Sequence, residues 1–341
     1  ALLTLDPRLQ ARLERTLANS AAPYAATVLL DPRSGRVLAM AEYSKAEPAK
    51  AAGLALRAIS PAASIFKIVT AAALLEQGWS PEEPVCYHGG LHRLRPRHLD
   101  DDARRDRACL PLTQAFGHSA NVVFAKLADR GLTTDLLRAE AERFLFNTPI
   151  PFAAAVEPSP AVIPADRFGL AKAAAGFGEV RLSALHGAML AAVVANRGVL
   201  VPPWVVELVE GGDGPPALEP VRVVDERVAE QLAEMMRATV TRGTATRAFA
   251  RPPRELRGVA VAGKTGSLNE QRPFRDHTWF VGYAPAEAPQ VVVATVVVNG
   301  PLWRVRAPWV AREALAAYFA DHLAEAAPPA AKVRLARRPG R

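Results

Sequence analysis

No stretch of the chain reaches the roughly 18 uninterrupted apolar residues that a membrane-spanning helix requires, and no charged, apolar and small-residue leader opens it. As it stands the sequence reads as that of a soluble chain. It begins at Ala1-Leu2-Leu3-Thr4-Leu5-Asp6 without an initiator Met, which leaves room for an anchor or export signal ahead of it. Lysine is scarce, 7 residues among the 42 basic ones, and no basic block is interleaved with aromatics as a nucleic-acid surface requires. Nucleic acid is therefore not an expected partner. No internal repeat is evident.

Cysteine is nearly absent as well. Cys86 and Cys109 are the only two, and His88, His92 and His98 lie between them in a polar, Arg-rich segment. A disulfide, two reduced thiols and a Cys/His zinc site all fit, the zinc site least well because the spacing matches no standard module. No metal and no cofactor is assigned.

What is present is an ordinary globular composition. Half of the 341 residues are apolar, enough for a substantial core in one large domain or two lobes. The formal net charge of +8 suits an anionic partner such as a cell-wall polymer or membrane surface, but the excess is Arg in a chain rich in Ala and Pro, which looks like compositional bias.

Ala26 to Leu30 and Arg36 to Met40 are apolar runs joined by the turn-rich Asp31-Pro32-Arg33-Ser34-Gly35, so they read as an antiparallel pair. From Ser60 to about Asn196 the pattern is mostly helical, with Ser60-Pro61 as a helix start, Gly78 as its stop, and Ala188 to Val194 as a buried helix. After a Pro/Gly-rich stretch around Gly211 to Pro220, Asp225 to Thr241 has helical periodicity through Val228, Leu232, Met235 and Met236. Val259 to Thr265, His277 to Tyr283 and Gln290 to Val298 read as a three-stranded meander, and Trp309 to Leu323 as an amphipathic helix. The expected fold is α+β: a central antiparallel sheet of about five strands drawn from both chain ends, flanked by helices, with an inserted, mostly helical lobe and a cleft between.

Three short motifs follow one another. Ser64 falls in the first turn of the helix expected from Ser60, where free N–H groups favour a developing oxyanion, and Lys67, three residues on, shares its face. They make a nucleophile and a base, provided burial and a second cation, Lys264, keep the amine neutral. Ser119 and Asn121 supply a proton relay and a group to hold Lys67. Lys264, Thr265, Gly266 and Ser267 end an apolar strand whose glycines let an extended peptide approach. Lys264 with the Thr265 and Ser267 hydroxyls would bind a terminal carboxylate, and the N–H groups of Ser64 and Ser267 would form an oxyanion hole. Each motif alone is weak; the ordered set is strong.

With these motifs the chain resembles the active-site serine penicillin-recognising enzymes. Over residues 4 to 323 it is similar to the transpeptidase domain of class B penicillin-binding proteins. Supporting stretches are Leu5-Asp6-Pro7-Arg8-Leu9-Gln10, Asp31-Pro32-Arg33-Ser34-Gly35, Gly176-Phe177-Gly178, Gly243-Thr244-Ala245 and Trp279-Phe280-Val281-Gly282-Tyr283-Ala284-Pro285. The family usually has Pro-Gly-Ser before the nucleophile, where this chain has Pro61-Ala62-Ala63-Ser64; Phe177 stands where Gln is common, and Ser267 where Thr is.

The resemblance implies a peptidoglycan D,D-transpeptidase. Ser64 would attack the carbonyl between two terminal D-Ala residues of a stem peptide, release the last, and pass the acyl group to an amine of a neighbouring stem; β-lactams would acylate the same serine. It further implies a lead-in over 1–25 and the domain over 26–325 with its helical lobe at about 70–255, while the Ala, Pro and Arg composition of 326–341 reads as a disordered basic tail. An extracytoplasmic or periplasmic location, attachment to the cytoplasmic membrane in the full-length protein, and a glycosyltransferase partner belong to the same implication. Water as acceptor would give a carboxypeptidase. A serine β-lactamase would need a deacylating Glu, for which Glu142-Arg143-Phe144-Leu145-Phe146-Asn147 is a near match, and a non-catalytic β-lactam sensor or assembly scaffold would lack turnover.

Overall fold

In the computed structural model, which describes residues 1–208, 219–302 and 304–326, both ends of the chain meet in one five-stranded antiparallel sheet. Its strands are β1 (Tyr24–Leu30), β2 (Val37–Tyr43), β3 (Ala262–Gln271), β4 (Phe274–Ala284) and β5 (Val291–Asn299), ordered β3-β4-β5-β1-β2. The helices are α1 (Pro7–Ser20), α2 (Lys67–Glu76), α3 (Leu112–Gly117), α4 (Asn121–Gly131), α5 (Thr134–Arg143), α6 (Arg167–Ala174), α7 (Ala184–Ala195), α8 (Glu226–Thr241), α9 (Thr246–Phe249) and α10 (Ala307–Ala326). None of them, among the described residues, is long and apolar enough to cross a membrane.

The centre of the sheet follows from β5, which is mostly valine and buried along its whole length. A strand alternates its side chains between faces. Val292, Ala294, Val296 and Val298 accordingly join the core under the helical lobe, while Val291, Val293 and Val297 join the core under α1 and α10. Each such valine contributes on the order of 2 kcal/mol over leaving it in water. On the second face α1 is started by Asp6, whose Oδ1 accepts from the N–H groups of Arg8 (2.7 Å) and Leu9 (3.1 Å), with Pro7 at the first position. It buries Leu9, Leu13 and Leu17 beside the Val310, Ala314, Leu315, Tyr318 and Phe319 side of α10.

On the first face α7, apolar and buried from Ala184 to Val194, lies between the sheet and the lobe formed by the other helices between the strands. The expected helix around Asp225 to Thr241 is present as α8, with Val228, Leu232, Met235 and Met236 buried.

Three local features differ from the sequence expectation. Ser60-Pro61 starts no helix: it forms a short antiparallel pair with Arg181–Leu182, and the Ser60 hydroxyl meets His277 Nδ1 at 3.0 Å instead of capping. A 3-10 turn, Ala63–Phe66, follows, and α2 begins only at Lys67; its end at Glu76 and Gly78 (φ 84°) agrees with the expected stop. The helical stretch from 60 to 196 is interrupted by a hairpin, Pro84–Tyr87 with Ala108–Pro111, whose strands a Cys86–Cys109 disulfide joins. The strand expected at 259–265 starts at Ala262 and runs to Gln271, so the Lys264 motif lies within it and not at its end. The residues of the Pro/Gly-rich stretch from 211 to 218, and of the tail from 327, lie outside the described residues.

Candidate active site

The nucleophile turn is bolted to the sheet by its backbone. Trp279 Nε1 donates to the Pro61 carbonyl at 2.8 Å, and Ala62 N–H donates to Val180 O at 2.9 Å. Ala63 then takes φ 48°, a left-handed conformation that costs an L-residue about 1–2 kcal/mol. This is the position at which the resembling family carries Gly. The strained residue turns the chain so that Ser64 stands second in the 3-10 turn and Lys67 heads α2.

Lys67 Nζ lies 2.9 Å from Ser64 Oγ, 2.7 Å from Asn121 Oδ1 and 2.5 Å from the Ala175 carbonyl. Asn121 is held in that orientation because its Nδ2 donates to His92 O at 2.8 Å. A neutral amine has two N–H donors and one lone pair. The carbonyls of Asn121 and Ala175 take the donors, so the lone pair faces the Ser64 hydroxyl. Lys67 is fully buried, and burial first, then the Lys264 charge, push its pKa well below the lysine range. The geometry and the electrostatics thus favour the same state, a base poised on a serine.

Ser119 sits at φ 56° between α3 and α4, with its hydroxyl buried and without a hydrogen-bond partner among the described residues. It lines the same cleft as Ser64, Asn121, Thr265, Gly266 and Ser267, a cavity of about 1670 Å³. A buried hydroxyl without a partner is an exception in folded proteins and leaves its donor and acceptor unused.

Strand β3 is an edge strand, so alternate N–H and C=O groups along it are unpaired within the sheet. Gly266 lets it lie against the nucleophile turn: a Cβ there would come within 3.1 Å of Ile65 Cγ1 and 3.2 Å of Ala62 O. The Thr265 hydroxyl bonds that of Thr244, whose N–H donates to Gly117 O at 3.0 Å. Lys264 points the other way. Its ammonium is fully buried on the lobe side, 3.0 Å from Thr265 O, and burial lowers its pKa to about 7. Its charge lies close enough to depress the Lys67 pKa.

The structure brings Ser64, Lys67, Ser119, Asn121, Lys264, Thr265, Gly266 and Ser267 to one place. Sequence reasoning missed the carbonyls of Ala175 and His92, which no residue type announces. Gly176, part of a family signature, acquires a role only in three dimensions. At φ 91°, it has no room for a Cβ, which would fall 2.1 Å from Ala63 O. Glu142, the near match to a deacylating Glu, is exposed on α5 and does not line the cleft. The disulfide takes up both thiols left open by the sequence.

This sheet, with a helical lobe across its edge strand and a Ser-x-x-Lys pair at their junction, defines the fold class of the serine penicillin-recognising proteins. The chain belongs to the penicillin binding protein transpeptidase domain family, whose model matches residues 25–316. It is similar to the peptidoglycan D,D-transpeptidase PbpA of Mycolicibacterium smegmatis, 29% identical over 319 residues that cover 80% of this chain and 61% of that protein. The PbpA of Mycobacterium tuberculosis H37Rv is 29% identical over 313 residues, 81% and 62% of the two chains. The chain thus spans about three fifths of the length of these curated relatives. Among solved structures, the D,D-transpeptidase domain of a peptidoglycan glycosyltransferase from Eggerthella lenta superposes with TM-score 0.78 at 27% identity, covering 94% of this chain and 82% of that one. The ceftriaxone acyl-enzyme of M. tuberculosis penicillin-binding protein A gives 0.75 at 25% identity, covering 92% and 79%.

Proposed function

We propose that this chain is a D,D-transpeptidase unit that cross-links peptidoglycan stem peptides through an acyl-enzyme on Ser64. The observation that carries the reading is the Lys67 amine, 2.9 Å from Ser64 Oγ, with burial and the Lys264 charge holding its pKa well below the ordinary lysine value. Lys67 takes the Ser64 proton as Oγ attacks the D-Ala-D-Ala carbonyl, and Ser119 passes a proton to the departing nitrogen. Base assistance of this kind is worth about 10²- to 10⁴-fold. Backbone N–H groups of Ser64 and Ser267 hold the oxyanion, and the donor peptide pairs with edge strand β3, its carboxylate near the Thr265 and Ser267 hydroxyls. An amine of a second stem then displaces Ser64; water in its place gives the carboxypeptidase side reaction.

β-Lactams acylate Ser64 on this reading, in line with the acyl-enzyme that ceftriaxone forms with the M. tuberculosis relative. The position of Glu142 speaks against rapid deacylation of a β-lactamase kind. The functional unit is taken as residues 26–325 with the lobe at about 70–255, facing the cell wall outside the cytoplasm, with a membrane attachment and a glycosyltransferase partner. A fluorescent penicillin should label the chain covalently, the label should map to Ser64, and Ser64→Ala should abolish it. Labelling at another residue would overturn the assignment, and fast turnover of nitrocefin in place of a stoichiometric burst would favour the β-lactamase reading.

A further inference from the structure

The register of β3 divides its side chains between two faces. Lys264, Gly266 and Leu268 lie opposite Val281, Trp279 and His277, and Val281 and Trp279 belong to the lobe-side core. Thr265, Ser267 and Asn269 lie opposite Phe280, Thr278 and Asp276. Phe280 belongs to the core under α10, and the Thr278 hydroxyl accepts from Ala307 N–H at the start of α10. The Thr265 and Ser267 side chains therefore leave the strand on the face opposite the Lys264 side chain, whose ammonium is buried and 3.0 Å from the Thr265 carbonyl.

A carboxylate leaving water needs a cation as well as hydroxyl donors. Four arginines line the cleft: Arg247, Arg304, Arg306 and Arg312. Two are committed. Arg306 holds Asp276 at 2.9 Å, and Arg312 holds Glu313 and the Ala248 carbonyl while lying 4.5 Å over the Trp309 ring. Arg247 is exposed and has no acidic partner among the described residues. It stands in α9, three residues after Thr244, whose hydroxyl bonds that of Thr265, so the chain from 244 to 247 borders the carboxylate side of the strand. Arg304, also exposed, is on the loop that follows β5 and has no such tie to Thr265.

We propose that Arg247 is a substrate-binding residue, supplying the fixed positive charge that recognises the terminal carboxylate of the donor peptide beside the Thr265 and Ser267 hydroxyls. The inference rests on the acyl-transfer reading of this cleft and adds to it the group that selects an anionic substrate. A guanidinium stays charged at every working pH and meets a carboxylate through two parallel N–H donors. Lys264, lowered to about 7 by burial, would lose its charge over the same range.

The test compares acylation of Ser64 by benzylpenicillin with acylation by its methyl ester, which keeps the reactive ring and lacks the anion. The unaltered chain should prefer the carboxylate. In Arg247→Gln that preference should fall by about ten- to a hundredfold, the loss expected for one charge-assisted contact, and Arg247→Lys should restore much of it; Arg304→Gln should leave it intact. In the unaltered chain, which needs no variant to fold, the preference should hold constant from pH 6 to 9. A preference that collapses above pH 7 would return the role to Lys264, and one that survives Arg247→Gln or disappears in Arg304→Gln would overturn the proposal. Failure of both compounds to acylate Ser64 would instead overturn the underlying reading of the cleft.

Discussion

Asn121 uses both ends of one amide: Oδ1 lies 2.7 Å from Lys67 Nζ, and Nδ2 donates to the His92 carbonyl at 2.8 Å. The second bond fixes the direction of the first. A neutral carbonyl holds the amine without adding a negative charge that would reprotonate it.

Asn121→Asp tests this directly. A carboxylate beside Lys67 favours the ammonium, so the pH midpoint for Ser64 acylation should move up by about one unit or more. At neutral pH the rate should fall at least about tenfold, with recovery as pH rises. An unchanged midpoint would separate Asn121 from control of the base.

The backbone around Ser64 predicts opposite outcomes for two small substitutions. Ala63 bears a left-handed φ of 48°, so Ala63→Gly should relieve about 1 kcal/mol of strain and raise the melting temperature by about 2 °C. Gly176→Ala would put a Cβ 2.1 Å from Ala63 O at φ 91°, and should cost about 2 kcal/mol or more along with acylation rate. Thermal melts of both variants, beside penicillin labelling, check the pair; a stabilising Gly176→Ala would refute the packing described.

The Cys86–Cys109 bond, 23 residues apart in sequence, closes the hairpin that carries His92. In the chain-entropy picture such a loop closure contributes about 3 kcal/mol. Reduction, or Cys86→Ser with Cys109→Ser, should lower the melting temperature and slow acylation, because Asn121 loses the firm placement of its acceptor. Equal melting curves with and without reductant would show that the hairpin is held by other contacts.

Much of this site was legible because its side chains come in contiguous motifs whose spacing already states a geometry. Ser64 and Lys67 at i, i+3 must share a face, and β-branched or aromatic runs with turn signals between them already read as an antiparallel meander. Other parts were not legible for definite reasons. Ser60-Pro61 has the residues of a helix start, but pairing with Arg181–Leu182 and the bond to His277 outweigh a local cap worth about 1 kcal/mol. Leu268 to Gln271 is too polar to announce a strand, and its extension comes from pairing with β4. That Ser64, Lys67 and Lys264 share one cleft follows from resemblance; which way Lys264 faces depends on strand register, which a one-residue slip would have reversed.

The central claim is that an uncharged Lys67 draws the proton from Ser64. Its most direct test is the pH profile of covalent acylation by benzylpenicillin, followed by intact mass under single-turnover conditions. Because burial and the Lys264 charge depress the Lys67 pKa, the rate should rise with pH through that lowered value and level off well short of 10.5, where ordinary lysine titrates, and Lys67→Arg should be inert throughout. A rate that climbs only above pH 10, or that survives in Lys67→Arg, would contradict the account.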